Sequence, residues 1–139
     1  MRSVFGCLDA VYPERYIMIS RSDATTRNGD WERQFLIAFP QFQPVVLSVM
    51  SPDEQMRTFM SAKVIVGAHG SGLSCLFFCH PGTMVFEVFE SDAWIPMYSR
   101  ISGVASLSHV CLFCENGLIP RQQIDGIAER LKSAHRNAE

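Results

Sequence analysis

The 139-residue chain has no apolar run that reaches the ~18 residues of a membrane-spanning helix. Met1 to Ala10 holds Arg2 and Asp9 and lacks the apolar centre of a signal peptide, so the chain as given reads as soluble and names no compartment. A leader or anchor lost upstream of Met1 would take that argument with it. Excess charge is missing too: 12 Lys and Arg stand against 14 Asp and Glu, a net of −2, and charged residues make up 19%. That balance excludes a polybasic nucleic-acid binder, and 47% hydrophobic residues exclude a disordered tail. Any phosphate binding must therefore be local. Five cysteines are an odd number, which argues against a framework of paired disulfides and leaves at least one thiol free. Internal repeats and low-complexity segments are absent, and the length is that of one domain spanning residues 1–139 with a sizeable core.

What is present is centred on Ala62 to Leu73, A-K-V-I-V-G-A-H-G-S-G-L. Val64, Ile65 and Val66 have the apolar, β-branched character of a buried strand, and Gly67, Gly70 and Gly72 follow at once. Ser71 to Phe78 is apolar enough to pack as a helix, so its first free N–H groups would point into the glycine turn. A helix start of this kind attracts anions, phosphate above all. His69 adds a titratable group at the mouth. The spacing is not the dinucleotide fingerprint G-x-G-x-x-G, it has no Walker lysine, and it lacks the serine of a G-x-S-x-G elbow. From these residues alone, a ligand-binding turn and a tight packing turn both stand.

Along the chain, Ser3 to Val11 reads as a short helix ended by Tyr12-Pro13, and Tyr16 to Ser20 as a first core strand. A polar loop, Ser22 to Asn28, carries Arg27. Asp30 is placed to cap a helix through Phe39 with Trp31, Phe35, Leu36 and Phe39 on one face, and Pro40 stops it. Pro44 to Val49 reads as a second strand. Ser51-Pro52-Asp53-Glu54 is a helix start with a capping box, leading to a helix that turns Met56, Phe59 and Met60 inward up to about Met60. Beyond the central strand, Pro81-Gly82-Thr83 turns into a fourth strand, Met84 to Phe89. Glu87 there is a carboxylate within an apolar run: it must be paired, face a polar cleft, or lie at an edge or toward solvent. Ile95 to Val104 reads as a helix, Ser108 to Phe113 as a fifth strand, and Pro120 to Ala134 as a closing helix with Ile124, Ile127, Ala128 and Leu131 inward.

Cys75, Cys79 and His80 cluster in sequence and Cys111-x-x-Cys114 is a C-x-x-C, so zinc is one alternative. Residues three apart on a strand face opposite sides, which favours cysteines buried as small hydrophobes and no metal. Strands alternating with helices imply an α/β fold, a Rossmann-like three-layer sandwich with a mostly parallel sheet of about five strands. Ligands of such sheets bind where the strand order reverses. The order two-one-three-four-five puts the reversal between the strands that end in Ser20-Arg21 and in Gly67-Ala68-His69-Gly70. An arginine facing a glycine-led helix start would suit a diphosphate; the alternative for Arg21 and Arg27 is a solvated loop charge.

Five blocks then resemble a known family in order and spacing: I-S-R at Ile19 to Arg21 with Arg27 beyond it, M-S-P-D-E-Q at Met50 to Gln55, S-A-K-V-I-V-G-A-H-G-S-G-L at Ser61 to Leu73, F-F-C-H-P-G-T at Phe77 to Thr83, and V-F-E-V at Val85 to Val88. Together they are similar to the C-terminal half of glycosyltransferase family 61, from about Tyr16 to Phe113. Ser71 stands where the family usually has alanine, and Asn28-Gly29-Asp30-Trp31-Glu32 replaces its usual Asn-Glu pair. The resemblance implies half of a GT-B enzyme that transfers a sugar from a UDP-sugar to a glycan or glycoprotein with inversion, without metal or other cofactor. It implies donor-binding roles for Ser20, Arg21, Arg27, His69, Gly70, Ser71, Gly72 and Glu87, with His69 as a candidate catalytic proton shuttle. It further implies a Golgi or endoplasmic reticulum lumen for a eukaryotic parent, a missing N-terminal acceptor half, and possible self-association through the exposed loop of Trp94 and Ile95. Two other functions fit the residues: a non-catalytic nucleotide-sugar-binding module, and an esterase-like hydrolase using His69 to Gly72 as an oxyanion loop.

Overall fold

Short apolar runs, each stopped by proline, glycine or a polar turn, make five strands, with enough chain between them for crossover connections. The computed structural model of the chain describes residues 11–21, 30–90 and 94–137. In order these form β1 (Arg15–Ile19), α1 (Trp31–Ala38), β2 (Gln43–Val45), a 3₁₀ turn (Leu47–Val49), α2 (Pro52–Met60), β3 (Ala62–Ala68), a 3₁₀ helix (Ser71–Phe78), β4 (Met84–Phe89), α3 (Met97–Val104), β5 (Ser108–Phe113) and α4 (Arg121–Asn137). The strands make one sheet in the order β2-β1-β3-β4-β5, with every pairing parallel. The Rossmann-like α/β fold expected from the sequence is therefore present, and the order reverses between β1 and β3.

Alternation along the strands sends side chains to two apolar layers. On one face Met18, Val64, Val66, Phe86, Val88 and Leu112 meet Trp31, Phe35 and Phe39 of the α1 segment and Ile127 and Leu131 of α4. On the other, Ile17, Ile19, Ile65 and Val85 meet Phe59 of α2, Leu73 and Leu76 of the 3₁₀ helix and Tyr98 of α3. The second layer is the one that positions the site.

Several elements depart from their expected form, each for a physical reason. Ser71–Phe78 keeps its expected bounds but winds as a 3₁₀ helix. Its buried residues Leu73, Leu76 and then Cys79 recur every third position, which is the 3₁₀ period, and Gly72, Ser74 and Cys75 are weak α-helix formers. The second strand is only Gln43–Val45: Pro44 has no N–H for a ladder, which suits an edge, and Leu47–Val49 turns away. Asp30 does not cap α1 with its side chain, because its backbone is already helical (φ −62, ψ −12) and its carbonyl accepts the Gln34 N–H at 3.1 Å. Ser51 does cap α2, its hydroxyl accepting the Glu54 N–H at 3.2 Å. Thr58 and Phe59 are that helix's buried residues, with Met56 and Met60 only half-buried. The segments Ser3 to Ala10 and Ser22 to Gly29, Arg27 included, lie outside the described residues.

Phe35 is fully buried among the rings of Trp31, Phe39 and Phe42, at centroid distances of 6.5, 4.9 and 4.8 Å. Phe35→Ala is expected to destabilise the fold by about 3–5 kcal/mol, read as a lower midpoint in urea unfolding with an unchanged slope.

Candidate functional site

At the carboxyl ends of β1 and β3 the chain opens a cleft of about 190 Å³, lined by Ile19, Ser20, Arg21, Leu47, Ser48, Ala68, Gly70 and Gly72. Ser20, Arg21, Gly70 and Gly72 of the expected site thus meet in one place. Glycine at 72 is a matter of room: a Cβ there would lie 3.1 Å from Ile19 Cγ2 and 3.6 Å from Leu47 Cδ1. At Gly70 the backbone is open, with a built Cβ 4.0 Å from the Arg21 Nη1. No carboxylate among the described residues pairs with the Arg21 guanidinium. A cation without a salt-bridge partner beside the N-terminus of the 3₁₀ helix favours an anion in this cleft.

The strand end that carries Arg21 is fastened from below by Glu32 of α1. The Ser20 hydroxyl donates to Glu32 Oε1 at 2.8 Å and the Arg21 backbone N–H donates to Oε2 at 3.1 Å. Next to it, the Trp31 indole N–H donates to Glu90 Oε1 at 3.0 Å, tying α1 to the end of β4. Glu32 was not legible as a site residue. Its signal was a carboxylate in the first turn of a helix that follows an arginine-bearing loop, which is also where helix electrostatics place acids with no ligand in view.

His69 and Glu87 form a second cluster, one residue along the chain from Gly70. Glu87 of β4 lies beside Gly67 of β3 and Cys111 of β5, and it is 0% exposed. The edge and solvent-facing alternatives for Glu87 are therefore overturned: it is paired. Its Oε2 accepts from His69 Nδ1 at 2.5 Å and its Oε1 from His109 Nε2 at 2.9 Å, while His109 Nδ1 stands 2.7 Å from the Ser102 hydroxyl of α3. Side-chain exposure is 24% at His69 and 7% at His109, so only His69 reaches solvent to any extent. The His69 ring stacks on Phe89 (5.0 Å, 21°) and meets Tyr98 edge-on (5.2 Å, 64°). Phe89 in turn stacks on Phe113 at 5.2 Å, giving a row of rings across the ends of three neighbouring strands. Burial, followed by the charge of Glu87, raises the Tyr98 phenol above its ordinary value.

With this geometry in hand, comparison with known proteins decides the family. A family model described as Glycosyltransferase 61 matches residues 7–86. The chain belongs to glycosyltransferase family 61. It is 30% identical over 89 residues to a beta-1,2-xylosyltransferase of Arabidopsis thaliana, covering 63% of this chain and 17% of that protein. It is 38% identical over 60 residues to a beta-1,2-xylosyltransferase of Oryza sativa subsp. japonica, covering 43% of this chain and 11% of that protein. The matched stretches are thus a small part of either relative's length.

In this family 61 chain the sequence-derived site residues separate into two groups. Ser20, Arg21, Gly70 and Gly72 line the cleft, and His69 and Glu87 form the bonded pair beside it. Ser71 begins the 3₁₀ helix, with its side chain outside the described atoms, and Arg27 is outside the described residues. Neither Ser102 nor His109 was singled out from sequence. A serine and a histidine carry no signal by themselves, and what joins them to Glu87 is the register of β4 on β5, which alternation alone does not reveal. Among the described residues no helix is long and apolar enough to cross a membrane. Trp94 and Ile95 are exposed, as are Met97 and Phe113.

Glu87, His109 and Cys111 bring ligand atoms within 4.8 Å of one another. Both oxygens of Glu87 and both nitrogens of His109 are engaged by protein partners, which makes the cluster a hydrogen-bond network as it stands. Cys114 packs on the opposite side of the sheet, and His80 is bonded to the Val11 carbonyl at 3.0 Å. Burial pushes the Cys79 thiol up to about 12, with the Cys75 charge adding to it, and Cys114 up to about 11, with Glu90 adding. Burial also raises Cys75 and Cys111, against hydrogen bonds from Ser74 and Trp94 respectively. The thiolate is the reactive form. At pH 8, therefore, Cys79 and Cys114 should be alkylated by iodoacetamide at least ~10-fold more slowly in the native chain than in urea, by peptide mass spectrometry. Labelling of either at the unfolded rate would contradict these shifts.

Proposed function

We propose that the chain is the nucleotide-sugar-binding half of a glycosyltransferase that moves a sugar from a UDP-sugar to a glycan or glycoprotein hydroxyl with inversion. The observation that carries this is the Arg21 guanidinium, without a salt bridge among the described residues, facing Gly70 and Gly72 at the reversal of strand order in a family 61 chain. The cleft is small beside the ~300–1,000 Å³ of ordinary ligand pockets, so it suits the diphosphate, with uridine and sugar extending outside it. The xylosyltransferase relatives suggest a pentose as the transferred sugar. A Golgi or endoplasmic reticulum setting goes with a glycoprotein acceptor.

In this mechanism the acceptor hydroxyl oxygen attacks the anomeric carbon from the face opposite the phosphate, and the bond from that carbon to the UDP oxygen breaks. Arg21 and the N–H groups that open the 3₁₀ helix stabilise the charge gathering on UDP, a term that usually dominates. Those groups take the place of a divalent metal. His69 receives the acceptor proton on Nε2, and Glu87 stabilises the resulting imidazolium through Nδ1. The ring is held by Phe89 and Tyr98 and does not need to reorganise during transfer.

Calorimetry of UDP against the 139-residue chain should show binding that a chelator leaves unchanged, and an absolute metal requirement would overturn this version of the mechanism. Arg21→Ala is expected to weaken binding by roughly 10- to 100-fold, the range for a lost hydrogen bond to a charged group. An unchanged affinity would remove Arg21 from the donor site. His69→Gln should leave UDP affinity within ~3-fold while abolishing any transfer measured with a radiolabelled donor.

A further inference from the structure

We infer that Ser102 and His109 are positioning residues which, acting through Glu87, decide which nitrogen of His69 carries its proton. The inference rests on the assignment of His69 as the base and extends it to two residues beyond the 7–86 stretch that the family model matches. Ser102 is 0% exposed, and a buried hydroxyl needs an acceptor for its hydrogen. The acceptor 2.7 Å away is His109 Nδ1. A neutral imidazole has one N–H, so accepting at Nδ1 obliges His109 to carry its hydrogen on Nε2, which lies 2.9 Å from Glu87 Oε1. Glu87, given a donor there, stays an acceptor on both oxygens.

The consequence reaches His69. An ionised Glu87 holds the His69 hydrogen on Nδ1 at 2.5 Å and leaves the lone pair on Nε2, the nitrogen a base needs. The stacked Phe89 and the edge-on Tyr98 oppose rotation of the ring that would exchange the two nitrogens. If the Ser102 hydroxyl is lost, nothing obliges His109 to keep its hydrogen on Nε2, and if His109 itself is lost, Glu87 Oε1 has no donor. In either case the carboxylate is no longer fixed from the β5 side, its hold on the His69 Nδ1–H loosens, and the His69 hydrogen passes to Nε2, where it blocks the base. Side chains that only filled space would change stability without moving that hydrogen.

Long-range proton–nitrogen NMR of the 139-residue chain, labelled with nitrogen-15 in its imidazoles and held at pH 8, reads the two tautomers directly. The wild-type chain should show His69 with hydrogen on Nδ1 and His109 with hydrogen on Nε2. Ser102→Ala and His109→Ala should each convert at least about half of His69 to the Nε2–H form. His109→Gln, whose amide can still donate to Glu87 Oε1, should restore the wild-type signal. Ser102→Ala removes one oxygen and decides the matter should His109→Ala fail to fold. Hydrogen on Nε2 of His69 in the wild-type chain, or an unchanged His69 tautomer in folded Ser102→Ala, would overturn the inference. UDP calorimetry on the same wild-type sample tests the donor assignment separately, and the tautomer result stands or falls without it.

Discussion

A carboxylate sealed from solvent between strands is an energetic liability unless each oxygen has a donor, and Glu87 is such a carboxylate. The donors come from the end of β3 and from β5, and α3 closes over the second of them with Ser102. That requirement ties three strands and a helix to one geometry. Sliding β5 by one residue would send His109 to the opposite face and leave Glu87 half-satisfied. The pairings Gly67 with Glu87 and Glu87 with Cys111 are therefore constrained by electrostatics as well as by apolar packing. The absence of a side chain at Gly67 matters here as well. A Cβ would lie 3.2 Å from Ile19 Cβ and 3.3 Å from Leu73 Cδ2, so Ile19 of β1 and Leu73 of the 3₁₀ helix would each have to give by a few tenths of an ångström.

The end of β3 serves both parts of the site. Its strand hydrogen bonding continues one step further, with the His69 N–H donating to the Val88 carbonyl at 2.8 Å, and the backbone then leaves the sheet at Gly70. His69 is thereby fixed toward β4 while Gly70 faces β1 and Arg21. The proposed base and the proposed anion-binding turn would then stand on consecutive residues, as a displacement needs when one group receives a proton while another takes up negative charge. Glu32 plays the matching part on the other strand, holding the Ser20 hydroxyl and the Arg21 backbone so that the arginine projects from a fixed point. Among the described residues no carboxylate pairs with the arginine's own side chain.

Much of this molecule is legible in its sequence. The β-branched run at Val64 to Val66, the Ser51-Pro52 start of α2 and the full extent of β5 depend on local propensity and period, and they stand where expected. Glu87 was recognisable as a residue in need of an explanation because an apolar strand cannot bury an acid at no cost. What local pattern misjudged was conformation near glycine and proline. The helix after Gly70 took a three-residue period and the strand through Pro44 stopped at Val45, because packing against Ile19 and loss of a ladder donor outweighed the apolar composition.

The sequence by itself determined the layered α/β sheet, the glycine turn after β3 and the presence of Arg21 at the end of β1, since each follows from neighbours within a few residues. It also carried the five blocks that mark family 61. Only the tertiary structure decided that Glu87 is shared by two histidines, that Ser102 completes the chain, and that Glu32 secures the arginine-bearing strand end. These are contacts between residues 7 to 22 positions apart, made by strand order and register. Register is a property of the assembled sheet, where burial penalises every unsatisfied polar atom at once, and no single segment contains it.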